Sequence, residues 1–200
     1  MKALFGVQLV FLTLLLPACA TVPRPPSADP VFAARNINSV AVGPVAYATY
    51  QPNAHCTVFL DEDLRTALVL GLTPRGYDAF AVGNRVPLSF AAGSLPPQPG
   101  DLPPVGPLPS SDVNGLLSVW IEEYWEHNPC GVMEAGDPTI IVGTVAVLYA
   151  GSPPVEVWRG RARVEQRGHS ASDLIWLTTT RLTDQLLESL PAGTGGTGQR

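Results

Sequence analysis

The sequence predicts an α+β domain: a mixed, largely antiparallel sheet of about five strands with two main helices packed on it. Three observations carry that expectation. Residues 37–82 read as strand, amphipathic helix and strand in succession. Residues 114–125, 139–149 and 155–163 are strand-like, and a short Gly/Pro turn joins the last two as a hairpin would. A capped amphipathic pattern from Ser170 to Leu190 supplies the second helix.

Taken in order, Ser39-Val40-Ala41-Val42 forms the first strand, and Gly43-Pro44 is expected to stop it. Leu60, Leu64, Ala67, Leu68 and Gly71 recur at spacings of three and four, which is one face of a helix. Asp61, Glu62 and Asp63 occupy its first turn, where the macrodipole favours negative charge. Gly71-Leu72-Thr73-Pro74 ends the helix, and Gly76 turns the chain into a strand over Tyr77–Val82.

Residues 86–112 form a Pro-rich loop, with seven prolines among the fifteen residues from Leu95 to Pro109. Such a run suits neither a helix nor an inner strand. It is an extended spacer, or alternatively a polyproline ligand for a partner groove.

Leu117, Val119 and Ile121 alternate with Ser118, Trp120 and Glu122, which reads as a half-buried strand. Thr139 to Tyr149 is β-branched and nearly all apolar, so a central strand buried on both faces is expected. After the turn at residues 150–154, Trp158, Gly160, Ala162 and Val164 face one way and Arg159, Arg161 and Arg163 the other. The arginine row is the wet face of the sheet, or alternatively a basic binding stripe. Ser170-Ala171-Ser172-Asp173 resembles a capping box. Ile175, Leu182 and Leu186 form the main apolar row of the helix after it, joined by Leu174, Leu177 and Leu190. Pro191 breaks that helix, and residues 191–200 read as a flexible tail.

The chain has 200 residues, 46% of them hydrophobic, which supports one domain with its own core. Its 19 glycines and 21 prolines are dense for a packed domain, yet fall short of the roughly 25–30% that would argue for disorder throughout. A net charge of −5 argues against a nucleic-acid partner, because phosphate affinity needs clustered Lys and Arg.

The N-terminus carries an address. Met1-Lys2 is a short positive start, and Ala3 to Leu16 is uncharged. That run is too short to cross a hydrocarbon core of about 30 Å as a helix, and suits the apolar region of an export signal. Leu16-Pro17-Ala18-Cys19 follows and resembles the lipobox of bacterial lipoproteins, with Pro17 departing from the usual residue at its position. The resemblance implies that residues 1–18 are a lipoprotein signal peptide and that Cys19 is lipidated. Acyl chains such as palmitate would then anchor the protein, each buried methylene contributing ~0.8 kcal/mol. Ala20 after the cysteine suggests the outer membrane, facing the periplasm. Residues 19–35, with four prolines, read as an extended tether, and residues 36–190 as the single periplasmic domain.

No nucleophile-elbow, phosphate-loop, dinucleotide or zincin motif is found, so no catalytic residue and no cofactor is assigned. Glu122, Glu123, Glu126 and His127 form an acidic cluster. A regular strand would place Glu122 and Glu123 on opposite faces, which suits paired acid–base work poorly.

With Cys19 acylated, Cys56 and Cys130 remain, and an oxidising compartment favours a disulfide between them. A structural zinc site drawing on His55, Cys56, His127 and Cys130 is the competing arrangement, and free thiols a third. His169 reads as a surface residue.

The segments "INSVAVGPV", "PRGYDAF", "LLSVWIEEYW" and "TIIVGTVAVLY…VEVWRGRA" together resemble small Gram-negative outer-membrane lipoproteins. Their domains are similar to the curli-secretion lipoprotein and to the N-terminal domain of the Tol-system periplasmic protein. In this chain the likeness rests on Ile37 to Pro44, Gly76-Tyr77 and Trp158-Gly160-Ala162. The Pro-rich insert departs from that pattern, and no pore-forming hairpin is visible, which argues against a channel. The resemblance implies a non-catalytic envelope component that acts through protein contacts, docking or assembling within a transport or secretion complex. Such a component would bind a membrane through its lipid anchor and envelope proteins through its domain, with homo-oligomerisation open. Two alternatives stand beside it: a periplasmic metal-dependent enzyme using the Glu122–His127 cluster, and a lipid or small-ligand carrier.

Overall fold

The computed structural model describes residues 35–48, 60–82, 110–128 and 136–193, together with Phe32, Gln98 and Leu108. Within them the chain forms β1 (Ser39–Tyr47), α1 (Leu60–Leu72), β2 (Asp78–Ala81), β3 (Gly115–His127), β4 (Thr139–Ala150), β5 (Val155–Arg167) and α2 (Ala171–Glu188). The strands make one five-stranded sheet in the order β2-β1-β3-β4-β5. β1 runs parallel to both β2 and β3, and β3, β4 and β5 form an antiparallel meander. The predicted α+β class, with five strands and two helices, is what the structure shows.

α1 and α2 pack side by side on one face of the sheet. Leu60, Leu64, Leu68 and Leu72 of α1 are buried, as are Leu174, Leu182, Leu186 and Leu187 of α2. They meet Val40, Val42, Leu117, Val119, Val142, Leu148 and Trp158 from the sheet. Burying each such side chain stabilises the fold by roughly 1.5–3 kcal/mol. Gly71 lets the helices approach: a methyl group there would lie 2.9 Å from Leu187 Cδ1 and from Thr183 Cγ2. Ser170 caps α2 as the sequence predicts, its Oγ accepting from the Asp173 amide at 3.2 Å.

Three expectations are corrected. β1 does not stop at Gly43-Pro44 but continues to Tyr47. Its register against β3 shifts between Val42 and Val45, and β2 pairs only as far as Val42. The missing proline donor therefore falls where the ladder is already irregular. β3 is not half-buried: from Gly115 to Ile121 both faces are buried, and exposure alternates only beyond that point. Ser118 and Trp120 are covered as completely as Val119, and alternation in a sequence reports one wet face only where nothing lies on it. Finally, α2 ends at Glu188, two residues before Leu190.

The chain after α2 docks on the body. Tyr77 Oη donates to the Pro191 carbonyl at 2.6 Å, Arg75 Nη1 to the Leu190 carbonyl at 3.2 Å, and the Gly193 amide to the Arg75 carbonyl at 2.8 Å. The entry to β1 is equally fixed. Asn114 Oδ1 accepts from the amides of Asn38 and Ser39 at 3.1 and 3.0 Å, and its Nδ2 donates to the Asn36 carbonyl at 3.0 Å. Arg35 donates to the Ala150 carbonyl at 3.1 Å.

Candidate functional site

β1 ends opposite Ile121, while β3, β4 and β5 run on together to His127, Thr139 and Arg167. Six further residues of β3 at about 3.3 Å each carry the meander roughly 20 Å past the end of β1. The predicted acidic cluster and the arginine row both reach this overhang.

Glu122 and Glu123 do not lie on opposite faces as a regular strand requires. Ile121 faces Thr144 and Glu123 faces Gly143, so Glu122 is the extra residue of a β-bulge. Both carboxylates consequently turn toward β5. Arg163 makes two bonds to Glu123, Nε to Oε2 at 2.8 Å and Nη2 to Oε1 at 3.0 Å, and Arg161 reaches Glu122 at 3.3 Å. The bare backbone of Gly143 on β4 lies beneath the first pair; a methyl group there would stand 3.0 Å from Glu123 Cβ. Arg159 is held by Glu156 at 2.7 and 2.9 Å. The Arg163 guanidinium holds the Glu123 carboxyl below the usual glutamate range, mainly through these hydrogen bonds. The arginine row is thus the outward face of the sheet, with each of these three arginines matched to a glutamate.

The opposite face of the overhang is aromatic. Tyr124 and Tyr47 meet edge to face, ring centroids 5.9 Å apart, and Tyr124 Oη donates to Glu126 at 2.7 Å. Burial is the main cause that pushes the Tyr47 hydroxyl well above the usual tyrosine range, with the charge of Asp61 adding to it. Burial likewise raises Asp61. Back on the outward face, Trp125 is 49% exposed and stacks on His127 at 6.2 Å with the rings 9° from parallel. Glu126 and His127 therefore leave β3 on different faces, and the four-residue cluster does not converge.

Clefts among the described residues include the following. One of about 230 Å³ lies between Arg167, His169, Asp173 and the exposed Trp176. Another, of about 680 Å³, lies between Asn38, Tyr77, Phe80 and Asp112. The third, of about 420 Å³, lies over the Glu122–Arg161 and Glu123–Arg163 pairs. Charged and polar side chains contribute to all three. Among the described residues no group of three or more His, Cys, Asp or Glu could hold a metal ion. No helix among them is long and apolar enough to cross a membrane.

Cys19, Cys56, Cys130 and His55 lie outside the described residues, as do most of the tether and most of the Pro-rich loop. The sequence reading missed the pairing partners of the arginines. The signal available for them was Gly143, a lone glycine inside a β-branched strand, which marks a close approach.

No family model matches the chain, and no curated protein does. Solved structures similar to it include a PelC dodecamer from Paraburkholderia phytofirmans, at 18% identity and TM-score 0.46, covering 78% of this chain and 91% of that one. A hypothetical protein from Chlamydia trachomatis is similar at 11% identity and TM-score 0.46, covering 76% and 94%. Lipoprotein GNA1162 from Neisseria meningitidis is similar at 15% identity and TM-score 0.43, covering 76% and 99%.

Proposed function

We propose that this chain is an outer-membrane lipoprotein, anchored through Cys19, whose domain serves as a non-catalytic docking or assembly component of an envelope transport or secretion complex. One observation carries the reading. The chain enters the sheet at Ser39, pinned by Asn114, whereas the overhang with exposed Trp125 lies at the opposite end of β3. A lipid graft at Cys19 followed by the Pro-rich tether would hold the entry end toward a bilayer. The overhang would then be presented away from it. Exposed tryptophan flanked by polar groups is a residue type that protein interfaces use as an anchor.

The lipobox-like Leu16-Pro17-Ala18-Cys19 and the likeness of the strand motifs to small envelope lipoproteins support the same reading. Against acid–base catalysis by the Glu122–His127 cluster stands the pairing of Glu122 and Glu123 with arginines.

The test has two arms. The N-terminal peptide of the mature protein is analysed by mass spectrometry, with membrane fractionation, for wild type and Cys19→Ser. A diacylglyceryl-modified Cys19, and loss of membrane association in the variant, are expected; identical fractionation and no lipid mass would overturn the anchor. A photo-crosslinker replacing Trp125 in intact cells is expected to trap a specific envelope protein. Absence of any crosslinked protein there would overturn the docking surface.

A further inference from the structure

The sheet ends in two unequal edges. β2 has four residues, whereas β5 runs for thirteen, and among the described residues β5 pairs only with β4. We propose that the outer edge of β5 pairs antiparallel with the β5 of a second copy of this chain. Two five-stranded sheets then join into one across a two-fold axis near Arg163.

The direction of the β5 backbone groups follows from the last bond to the β4 side. The Gly168 amide donates to the Pro138 carbonyl at 3.1 Å, one step beyond the Arg167–Thr139 pair. Hydrogen-bonded pairs recur at every second residue of an antiparallel ladder. Gly160, Ala162, Val164 and Gln166 therefore bond β4, and the residues between them turn amide and carbonyl outward. At Arg161, Arg163 and Glu165 no described residue meets those outward backbone groups. All three residues are exposed.

Sheet edges are ordinarily blunted by shortness, proline, a bulge or charged side chains. β2 is short. β5 has no proline, and its register shift against β4 lies at its beginning, beside Leu148 and Tyr149, so Trp158 to Arg167 is regular. Its arginines do not guard the edge. Arg161 and Arg163 reach back across β4 to Glu122 and Glu123 of β3, and Arg159 is held by Glu156 within β5. A second copy fits this edge by charge. With the two-fold axis at Ala162, Arg163 or Val164, Glu165 falls opposite Arg159, Arg161 or Arg163 of the second copy, and symmetry makes each such pair twice. These three arginines enter the contact already matched by their own glutamates, which offsets the like charges that also approach.

The inference depends neither on the lipid anchor nor on the proposed docking surface at Trp125, and it is tested on the full mature chain. Sedimentation equilibrium over a concentration series is expected to show monomer passing to dimer. Hydrogen exchange, read residue by residue at both ends of the series, is expected to slow about tenfold at the amides of Arg161, Arg163 and Glu165 as the dimer forms. The amides of Gly160 and Ala162, already bonded to β4, should keep their rates. Glu165→Pro removes an outward amide without touching a bond to β4, and is expected to leave a monomer. Glu165→Lys reverses the complementary charge and is expected to weaken association roughly tenfold. A monomer at every concentration, a species larger than a dimer, or a dimer whose three outward amides stay unprotected would overturn the inference. So would association unchanged by Glu165→Lys, or retained by a folded Glu165→Pro. If near-UV circular dichroism shows the proline variant unfolded, the exchange rates and the lysine variant decide.

Discussion

Glu123 and Arg163 meet over Gly143, a carboxylate and a guanidinium from two strands joined across the bare backbone of the strand between them. The bulge at Glu122 brings the carboxylate to that side, and the glycine leaves the passage open.

Arg163→Gln should return the Glu123 carboxyl to the ordinary glutamate range. Its folded-state value is depressed. The contribution to stability is therefore present above the unfolded-state value and is lost as pH falls through the folded one. Because both side chains are about half exposed, the unfolding midpoint should barely move. Carbon-detected NMR titration of Glu123 in wild type and variant checks the first statement, and urea melts the second. Gly143→Val should separate the pair in the same titration.

Gly160→Ala should destabilise the domain. The new methyl group would lie 2.5 Å from two ring atoms of the buried Trp158 and 3.0 Å from the Leu186 carbonyl oxygen. Overpacking of this kind costs about 1–3 kcal/mol. Thermal unfolding should shift down by several degrees, with a changed near-UV signal from the displaced indole.

Ser170→Ala should cost about 1 kcal/mol through loss of the cap on α2, and Ser170→Asn should restore most of it. Denaturant melts of the three proteins measure this. The amide of Asp173, which the cap bonds, should exchange faster in the alanine variant alone.

Tyr77→Phe should remove the bond to Pro191, at a cost of about 1 kcal/mol, and speed hydrogen exchange at the Gly193 amide. In the wild type, burial pushes the Tyr77 hydroxyl up to about 12. A raised folded value means that the contribution is complete below the unfolded tyrosine value near 10 and declines as pH rises through the folded one. Tyrosinate absorbance, followed against alkaline unfolding, should show one fewer late-titrating tyrosine in the variant.

Cys56 and Cys130 are proposed to pair. Their bond would close a loop of about 75 residues and stabilise by about 2–4 kcal/mol. The mature protein should then show no free thiol by mass spectrometry until it is reduced, and reduction should lower its melting temperature. Two freely alkylated cysteines would exclude the bond.

The elements whose periodicity is set by a single buried face were legible from sequence. Leu60, Leu64 and Leu68 on α1, and the alternation of Trp158 and Ala162 with Arg159 and Arg161 on β5, each report one apolar and one wet side. The cap at Ser170 was legible because it is local. Features that depend on distant chain were not. Ser118 and Trp120 look outward by alternation, yet both are fully buried. Pro44 looks like a stop because a sequence does not say where a ladder already breaks. The bulge that redirects Glu122 and Glu123 is a matter of register against β4, and no residue in β3 announces it. The docking of Pro191 and Gly193 depends on Tyr77 and Arg75, more than a hundred positions earlier.

The division of the sheet into a parallel pair of joints and an antiparallel meander sets an order of assembly. Gly115 to Arg167 can zip through near neighbours, since β3, β4 and β5 follow one another in the chain. β1 must instead find β3 across about 70 intervening residues, and contacts so remote form slowly. The meander is thus expected to form ahead of the β1–β3 pairing, although β1 comes first in the chain.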